Sequence, residues 1–321
     1  MKQASAAEAH TVHHAGAPTP ERIPMRIIDA HLHFSAIRSF REAAGTISHV
    51  TYSGEGLLAE QARCGIVAGI GMGLSETWPG GFPDDAAPTP MGLDLEPVWP
   101  DGLHACAGVN PVDLRRRGDV AVQALRQMLA DPRVVGIKLY AGYYPFFLSD
   151  EVYDPVYRLA EEHGLPIVVH GGVTYSDRGL LKYSHPLSFD EAIVRHRSLT
   201  FVICHMGEPW GMDTAALMSK SPNVMTDLSG LLVTDADTIL RKSGQPEERL
   251  RLRQPLLFEE RPDRWLFGSD WPLAPLEAYV DFIRQLVPEE WHEDVFFRNA
   301  LRVFPRLRAP EELPSNSSRK A

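Results

Sequence analysis

Residues 26–33 read RIIDAHLH, an apolar run that ends in two histidines separated by one residue. In a β-strand, side chains two positions apart point to the same face, so His31 and His33 can share one cation. The chain contains 13 histidines, and this spacing alone is therefore a weak indication of a metal site. The residues that end the other apolar runs of the chain decide whether these two histidines belong to a metal site.

Further short apolar runs, rich in valine and isoleucine, alternate with segments of helical periodicity. We predict strands at residues 26–33, 65–72, 103–109, 134–140, 165–170, 200–205, 223–228 and 264–270. Predicted helices include 113–130, capped by Asp113, then 155–163, closed by Gly164, and 189–196. Repeated βα units predict an α/β fold, a (β/α)8 TIM barrel forming a single domain over residues 25–308. An open doubly wound sheet is the alternative, but the glycines of GIGMG (69–73) precede no predicted helix.

Four of the predicted strands end in possible metal ligands. His31 and His33 end the first, His170 ends LPIVVH, His205 ends FVICH and Asp270 ends WLFGSD. In such barrels the carboxyl ends of the strands carry the active site. A single histidine at a strand end is more simply explained by a hydrogen bond to a loop. Five such groups at one barrel mouth favour a bound cation. The nitrogen-rich set suits Zn²⁺ best, as one or two ions, and Mn²⁺, Fe²⁺, Co²⁺ or Ni²⁺ are compatible alternatives.

Lys138 lies near the end of the fourth run, VVGIKLY. An apolar strand rarely carries a lysine inward without a function. Three interpretations remain open: a carbamylated lysine that bridges two metals, a cation that binds an anionic substrate, or a surface lysine beyond the strand end. The spacing of residues does not choose among them.

Candidate substrate contacts follow the strand ends. Arg178 and Lys182, in the loop after the fifth strand, could clamp a substrate carboxylate, although a solvated loop would look the same. Aromatic residues just beyond strand ends suggest a flat substrate, although packing of the barrel mouth gives the same pattern: Tyr140, Tyr143, Tyr144, Trp210 and Trp271. Residues 75–101, rich in proline, glycine and tryptophan, are predicted to form a long loop over the site.

The composition limits the class of partner. Hydrophobic residues make up 44% and charged residues 23%, as in ordinary soluble globular proteins, and the formal net charge is −10. This charge argues against nucleic acid or anionic membranes as partners and leaves a small molecule. Three separated cysteines and the absence of a secretory or membrane-spanning apolar run predict a cytoplasmic protein. Residues 1–24 and 309–321 are predicted to be a flexible tail and a disordered tail.

Six motifs together resemble the amidohydrolase superfamily, in particular its amidohydrolase-related branch with the relatives of aminocarboxymuconate semialdehyde decarboxylase. They are IDAHLH (28–33), GIKLY (136–140), PIVVHG (166–171), CHMG (204–207), PNVMTDLS (222–229) and LFGSDWP (266–272). The resemblance implies a distorted (β/α)8 barrel in which the residues that bind the metal directly are His31, His33, His170 and Asp270. It also implies that His205 binds a second metal or polarises the substrate, that Asn299 and Arg302 belong to a structural closing helix, and that a homodimer is possible.

The implied chemistry is hydrolytic. A bound cation lowers the pKa of its water from about 16 to about 7. Asp270 would take a proton from the water and pass it to the leaving group, while His205 would stabilise the oxyanion and Asp29 would support a ligand from behind. We therefore predict a metal-dependent hydrolase acting on an amide, ester or lactone bond of a small, carboxylate-bearing or aromatic substrate. The alternatives are a metal-dependent, non-oxidative decarboxylase of an aromatic or unsaturated acid and a scaffold without catalysis, because the fold does not fix the reaction.

Overall fold

The computed structural model describes residues 25–74 and 92–308. Eight parallel strands form one sheet in which each strand pairs with the next along the chain. They are β1 (Ile27–Leu32), β2 (Ile66–Met72), β3 (Leu103–Val109), β4 (Val134–Leu139), β5 (Ile167–Val169), β6 (Phe201–Ile203), β7 (Val224–Asp227) and β8 (Trp265–Leu266). The two predicted tails and most of the predicted loop 75–101 lie outside the described residues.

The first and last strands meet, which closes the sheet. The backbone N–H of Ala30 donates to the carbonyl of Phe267 at 2.9 Å, and that of Asp270 donates to the carbonyl of His31 at 2.8 Å. The predicted (β/α)8 barrel, formed as one domain, is therefore confirmed. Each strand is shorter than or equal to its predicted run. At β5, β6 and β8 the polar residues that end the runs, His170, His205 and Asp270, lie beyond the strand.

Within the described residues, α-helices follow or connect the strands. They are α1 (Arg38–Ala43), α2 (Gly54–Cys64), α3 (Pro111–Arg117), α4 (Asp119–Met128), α5 (Asp154–His163), α6 (Asp190–Arg195), α7 (Gly211–Lys220), α8 (Ala236–Ser243), α9 (Pro246–Phe258), α10 (Leu276–Leu286) and α11 (Asn299–Val303). None of the helices in the described part of the chain is long and apolar enough to cross a membrane.

The predicted helix 113–130 is wrong in two respects. It is two helices, α3 and α4, separated at Gly118, whose backbone has φ 50° and ψ −124°. The cap is Asn110, whose side chain accepts hydrogen bonds from the N–H groups of Val112 and Asp113. A helical apolar pattern runs across the glycine, so periodicity alone could not show the break. The predicted end of α5 is correct, since Gly164 has a left-handed φ of 63°.

A buried cluster of alternate strand residues lies inside the barrel and includes Val135, Val168 and Val202. Val303 and Phe304, at the end of α11, belong to the same cluster. The side-chain amide of Asn299 donates to the carbonyls of Pro262 and Trp265 at 2.7 and 2.8 Å. These contacts fix α11 against β8, as expected of a structural closing helix. The polar ends of the strands lie at the other end of the barrel.

Candidate active site

Three of the predicted ligands form one cluster where β1 meets β8. The Nε2 atoms of His33 and His31 lie 3.0 and 3.4 Å from Oδ1 of Asp270. One candidate ligand atom from each of the three side chains lies within 4.8 Å of the others, and all three residues are buried. Closure of the barrel therefore brings together residues from the two ends of the chain.

The other two predicted histidines lie beside this cluster. The ring of His205 is centred 4.8 Å from that of His31 and 5.0 Å from that of His170. His170 belongs to the same barrel mouth, but among the described residues it is not part of the tight group of His31, His33 and Asp270. Its ring packs edge-on against Tyr143, with centroids 4.8 Å apart.

The backbone is strained where these side chains turn into the mouth of the barrel. Asp270 has φ 62° and His205 has φ 60°, in the left-handed region that residues other than glycine rarely adopt. Such conformations cost about 1–3 kcal/mol each and concentrate at functional sites. Gly230 packs against both residues: an added Cβ would lie 2.7 Å from Nδ1 of His205 and 2.8 Å from Oδ2 of Asp270.

Asp227 and Ser229, for which no role was predicted, lie beneath the imidazoles. Oδ2 of Asp227 lies 2.9 Å from Nδ1 of His31. Oδ1 accepts hydrogen bonds from the backbone N–H groups of His205 and Ser229, at 2.9 and 3.1 Å, and from the Ser229 hydroxyl at 2.5 Å. Asp227 is the last residue but one of the predicted strand 223–228, close to a strand end like His170 and His205, which was the available signal.

This network fixes the tautomers of two imidazoles. Nδ1 of His31 donates to Asp227, and Nδ1 of His205 donates to the carbonyl of Ser229 at 3.2 Å. Both rings therefore keep the lone pair on Nε2. Burial, reinforced by the charge of Lys138, lowers the pKa of His31 to about 3. Burial likewise lowers the pKa values of His170 and His205, so all three rings are in the neutral form that binds metals.

The carboxyl groups of the mouth are ionised. Burial alone would raise the pKa of Asp270, but His205 and His33 hold it well below its ordinary value. The pKa of Asp227 is also lowered, because the interaction with His31 outweighs the effect of burial. The cluster therefore combines neutral nitrogen donors with negatively charged oxygens.

Asp29 does not contact an imidazole of the cluster. Its Oδ1 accepts hydrogen bonds from the backbone N–H groups of His31 and Ser269, at 3.2 and 2.9 Å, so it braces the junction of β1 and β8. Burial raises the pKa of Asp29 to about 7. The position behind His31 that was predicted for Asp29 is occupied by Asp227.

Several buried donor atoms at the mouth of the barrel have no partner within the described part of the chain and suit a metal. Among the described residues, buried atoms without a hydrogen-bond partner include Nε2 of His31, Nδ1 of His33, Nε2 of His170 and Oδ1 of Asp270. Each buried unsatisfied polar atom costs about 1–3 kcal/mol. Unprotonated nitrogens with one carboxylate oxygen are ligands that divalent transition metals prefer. The residues therefore fit a metal ion.

Lys138 is buried inside the barrel, so its interpretation as a surface lysine is wrong. Its Nζ lies 2.8 Å from Sγ of Cys204 and 5.4 Å from the centre of the Tyr140 ring. Burial raises the pKa of Cys204 well above its ordinary value, so the thiol is neutral. In the described part of the chain Lys138 forms no ion pair with a carboxylate.

A cleft of about 780 Å³ opens above these groups. Its polar floor contains the predicted ligands and Lys138, and its walls are largely aromatic and apolar. The wall residues include Phe40, Tyr140, Tyr143, Tyr175 and Leu273. Of the predicted substrate contacts, Lys138 and Tyr140 lie in this cleft.

The other four predicted substrate contacts do not line the cleft: Arg178, Lys182, Trp210 and Trp271. Arg178 and Lys182 are exposed on the loop after β5. Trp271 is fully buried, and its indole N–H donates to Oε1 of Glu60 at 3.1 Å. The sequence showed that these residues follow strand ends but not the directions of their side chains.

Comparison with known proteins identifies the class. The profile of the amidohydrolase family matches residues 93–306, and the chain belongs to that family. Enzymes of this family depend on metals, which agrees with the donor set at the floor of the cleft.

Particular relatives differ in the reactions that their names give. L-fucono-1,5-lactonase of Burkholderia multivorans is 34% identical over 115 residues, which span 31% of this chain and 38% of the lactonase. A Pseudomonas putida structure named for 2-pyrone-4,6-dicarboxylic acid hydrolase is 20% identical, with a TM-score of 0.58 over 88% of this chain and 98% of the other. A dihydroxybenzoic acid decarboxylase of Polaromonas sp. JS666 with bound manganese is 13% identical, with a TM-score of 0.59 over 89% and 98%. At these identities the two structures show a shared fold.

Proposed function

We propose that the protein is a metal-dependent hydrolase that cleaves an ester, lactone or amide bond of a small molecule. The observation that carries this proposal is the set of unpartnered buried atoms on His31, His33, His170 and Asp270 at the floor of a cleft. These four residues would hold the ion, and Zn²⁺ is the ion we propose because three of the four donors are imidazoles. The ion would supply Lewis acidity, which polarises a substrate carbonyl and activates water.

Asp270 is the proposed proton carrier. Its carboxylate is ionised, and Oδ2 lies 3.9 Å from Nδ1 of His205 and next to Gly230, where no side chain blocks approach. Oδ2 can therefore accept a proton from the attacking water and return it to the leaving group. The strained backbone of Asp270 holds this carboxylate toward the cleft.

His205 is proposed as a proton acceptor or a metal ligand. Its Nδ1–H is already donated to the carbonyl of Ser229, so Nε2 has no proton to give to an oxyanion. Lys138, at the floor of the same cleft, is the proposed group for stabilising negative charge that develops on the substrate. We therefore propose that Lys138 contacts the oxyanion, the role that the sequence predicted for His205.

Hydrolysis is supported over decarboxylation by the charges in the cleft. The carboxylate clamp expected of Arg178 and Lys182 lies outside it. Among the described residues that line the cleft, Lys138 is the single lysine or arginine, and Asp177 and Glu208 are acidic. A neutral acyl substrate such as a lactone needs no such clamp. The partial match to a lactonase points to the same class of bond.

Incubation with esters, lactones and amides in water enriched in ¹⁸O tests the proposal. We expect one class to give a carboxylate product that carries one ¹⁸O per turnover, with Asp270→Asn losing most of the activity. An exposed surface variant, Asp281→Asn, should keep it. A protein loaded with Zn²⁺, Mn²⁺ or Co²⁺ that incorporates no ¹⁸O from any of these substrates would contradict the proposal.

Decarboxylation is the second candidate because the walls of the cleft are aromatic. Phe40, Tyr140, Tyr143 and Tyr175 suit a flat, unsaturated acid. Release of carbon dioxide from benzoic acids that carry hydroxyl groups, without incorporation of ¹⁸O, would establish this reaction instead.

A further inference from the structure

A second cavity, of about 660 Å³, lies at the opposite end of the barrel from the metal ligands. His104 is the second residue of β3, and Arg133 immediately precedes β4, so both lie where strands begin. The volume is within the range of about 300–1,000 Å³ that small-molecule sites have. We call this cavity the arginine pocket, defined by His104, Arg133, His163, Arg306 and Arg308.

The lining of the arginine pocket is basic. Three arginines and two histidines line it, and its other lining residues are Leu129, Ala130 and Pro132, none of them acidic. Within the described residues neither Arg306 nor Arg308 forms an ion pair. Arg133 is paired with Asp131. In a protein with a net charge of −10, two arginines of one cavity without an ion pair among the described residues need a separate explanation.

The guanidinium of Arg306 is held in place by the backbone. One terminal nitrogen donates to the carbonyls of Leu129 and Val134, at 2.8 and 3.2 Å. The other lies 3.0 Å from Nδ1 of His163 and can only donate to it. Nδ1 of His163 is therefore an acceptor, and the ring carries its proton on Nε2.

Nε2 of His163 is a buried donor without a hydrogen-bond partner in the described part of the chain. A buried N–H that is left unpaired is costly, and an anion would satisfy it. This observation is independent of the count of arginines and identifies the missing group as a hydrogen-bond acceptor.

Hydrogen bonds also orient the side chains of Arg133 and Arg308. Arg133 donates to both oxygens of Asp131 and stacks over the ring of Trp99, with 4.6 Å between the guanidinium carbon and the ring centre. Arg308 donates to the carbonyls of Pro305 and Leu307, both at 3.0 Å. Planar guanidinium groups that are already oriented lose little side-chain entropy when they bind an oxyanion.

We propose that the arginine pocket binds a phosphate group, either as free phosphate or as the phosphate of a small metabolite. Arg306, Arg308 and Arg133 supply charge-assisted donors, and Nε2–H of His163 supplies a neutral one. A tetrahedral oxyanion can accept from all four, and guanidinium forks match its oxygens. The proposal is independent of the reaction at the metal centre.

Titration calorimetry on the full chain at constant ionic strength tests it, with inorganic phosphate and AMP as probes. We expect saturable binding of at least one probe and about tenfold weaker binding by Arg308→Gln and by Arg133→Gln. The control is Arg284→Gln, an exposed arginine of α10 paired with Asp281, which should bind as the unchanged protein does. Thermal unfolding of each variant establishes that it is folded.

The two probes distinguish the source of the phosphate. Equal affinity for phosphate and AMP indicates free phosphate as the ligand, and tighter binding of AMP indicates a phosphate-bearing metabolite. No saturable binding of either probe overturns the proposal. Equal weakening in Arg284→Gln and Arg308→Gln also overturns it, because the effect would then be one of net charge.

Discussion

Asp227→Asn should weaken metal binding by moving a single proton on His31. Oδ1 of Asp227 accepts from two backbone N–H groups, those of His205 and Ser229, at 2.9 and 3.1 Å. These groups can only donate, so the oxygen of the asparagine must keep this position. The new NH₂ group must then face Nδ1 of His31, which can accept its proton only by moving its own to Nε2. That nitrogen is one of the unpartnered atoms that the metal requires.

The expected loss of metal affinity is that of one histidine ligand held in the wrong tautomer. Loss of a carboxylate behind a metal-binding histidine typically costs 10- to 100-fold in metal affinity. This corresponds to about 1.4–2.7 kcal/mol of binding free energy. Competition with a chromophoric chelator near neutral pH measures the dissociation constants of the variant and the unchanged protein for Zn²⁺ and Mn²⁺.

Asp29→Asn is the matched control, because it removes a second buried carboxylate beside His31. Its amide can donate to the hydroxyl of Ser269, which now lies 2.5 Å from Oδ2. The carboxyl of Asp29 is easily protonated, with a pKa of about 7, so an amide is a close substitute. We expect metal affinity within a factor of about three of the unchanged protein. Equal affinities for Asp227→Asn and Asp29→Asn would refute the argument from the tautomer of His31.

Three further predictions concern the metal, the cleft and pH. Removal of metal with a strong chelator should abolish turnover, and Zn²⁺, Mn²⁺ or Co²⁺ should restore it; full turnover by metal-free protein would contradict the assignment of the ligands. Gly230→Ala should lower kcat about 100-fold, since its Cβ would displace Asp270 and His205 and its φ is 62°; a kcat within twofold of the unchanged value would contradict this packing. Burial raises the pKa of Asp29 from 3.8 to about 7. Between pH 3.8 and about 7 the folded, metal-free protein therefore binds more protons than the unfolded chain. The free energy of unfolding should fall as pH rises through this range, by up to about 4 kcal/mol. Urea unfolding at several pH values measures this slope, which Asp29→Asn should remove; an unchanged slope in the variant would rule out Asp29 as its source.

The sequence predicted the barrel and the placement of the five candidate ligands because both depend on local patterns. Four of the predicted apolar runs end in a histidine or an aspartate, and parallel strands bring such ends to one face. Periodicity could not show that Gly118 divides a helix, since the apolar spacing continues through it. Several strands were predicted too long, because a polar residue after an apolar run, such as His170, already belongs to the turn.

The contacts that complete the site depend on the closed barrel and could not be predicted from spacing. Asp227 reaches His31 only because β7, β8 and β1 are neighbours in the sheet. Trp271 follows Asp270 directly, yet its ring points away from the cleft toward Glu60. Residues next to each other in sequence can therefore lie on opposite sides of the barrel wall, and a strand end indicates a location but not a direction.

Closure of β1 against β8 has a consequence for synthesis. His31 is among the first residues of the barrel to leave the ribosome and Asp270 among the last, and the proposed ion would need both. A nascent chain lacks the complete ligand set until translation of the barrel is nearly finished. An ion that binds only the folded form stabilises that form. Metal binding would therefore come after the strands have assembled and would stabilise the contact between the two ends of the barrel.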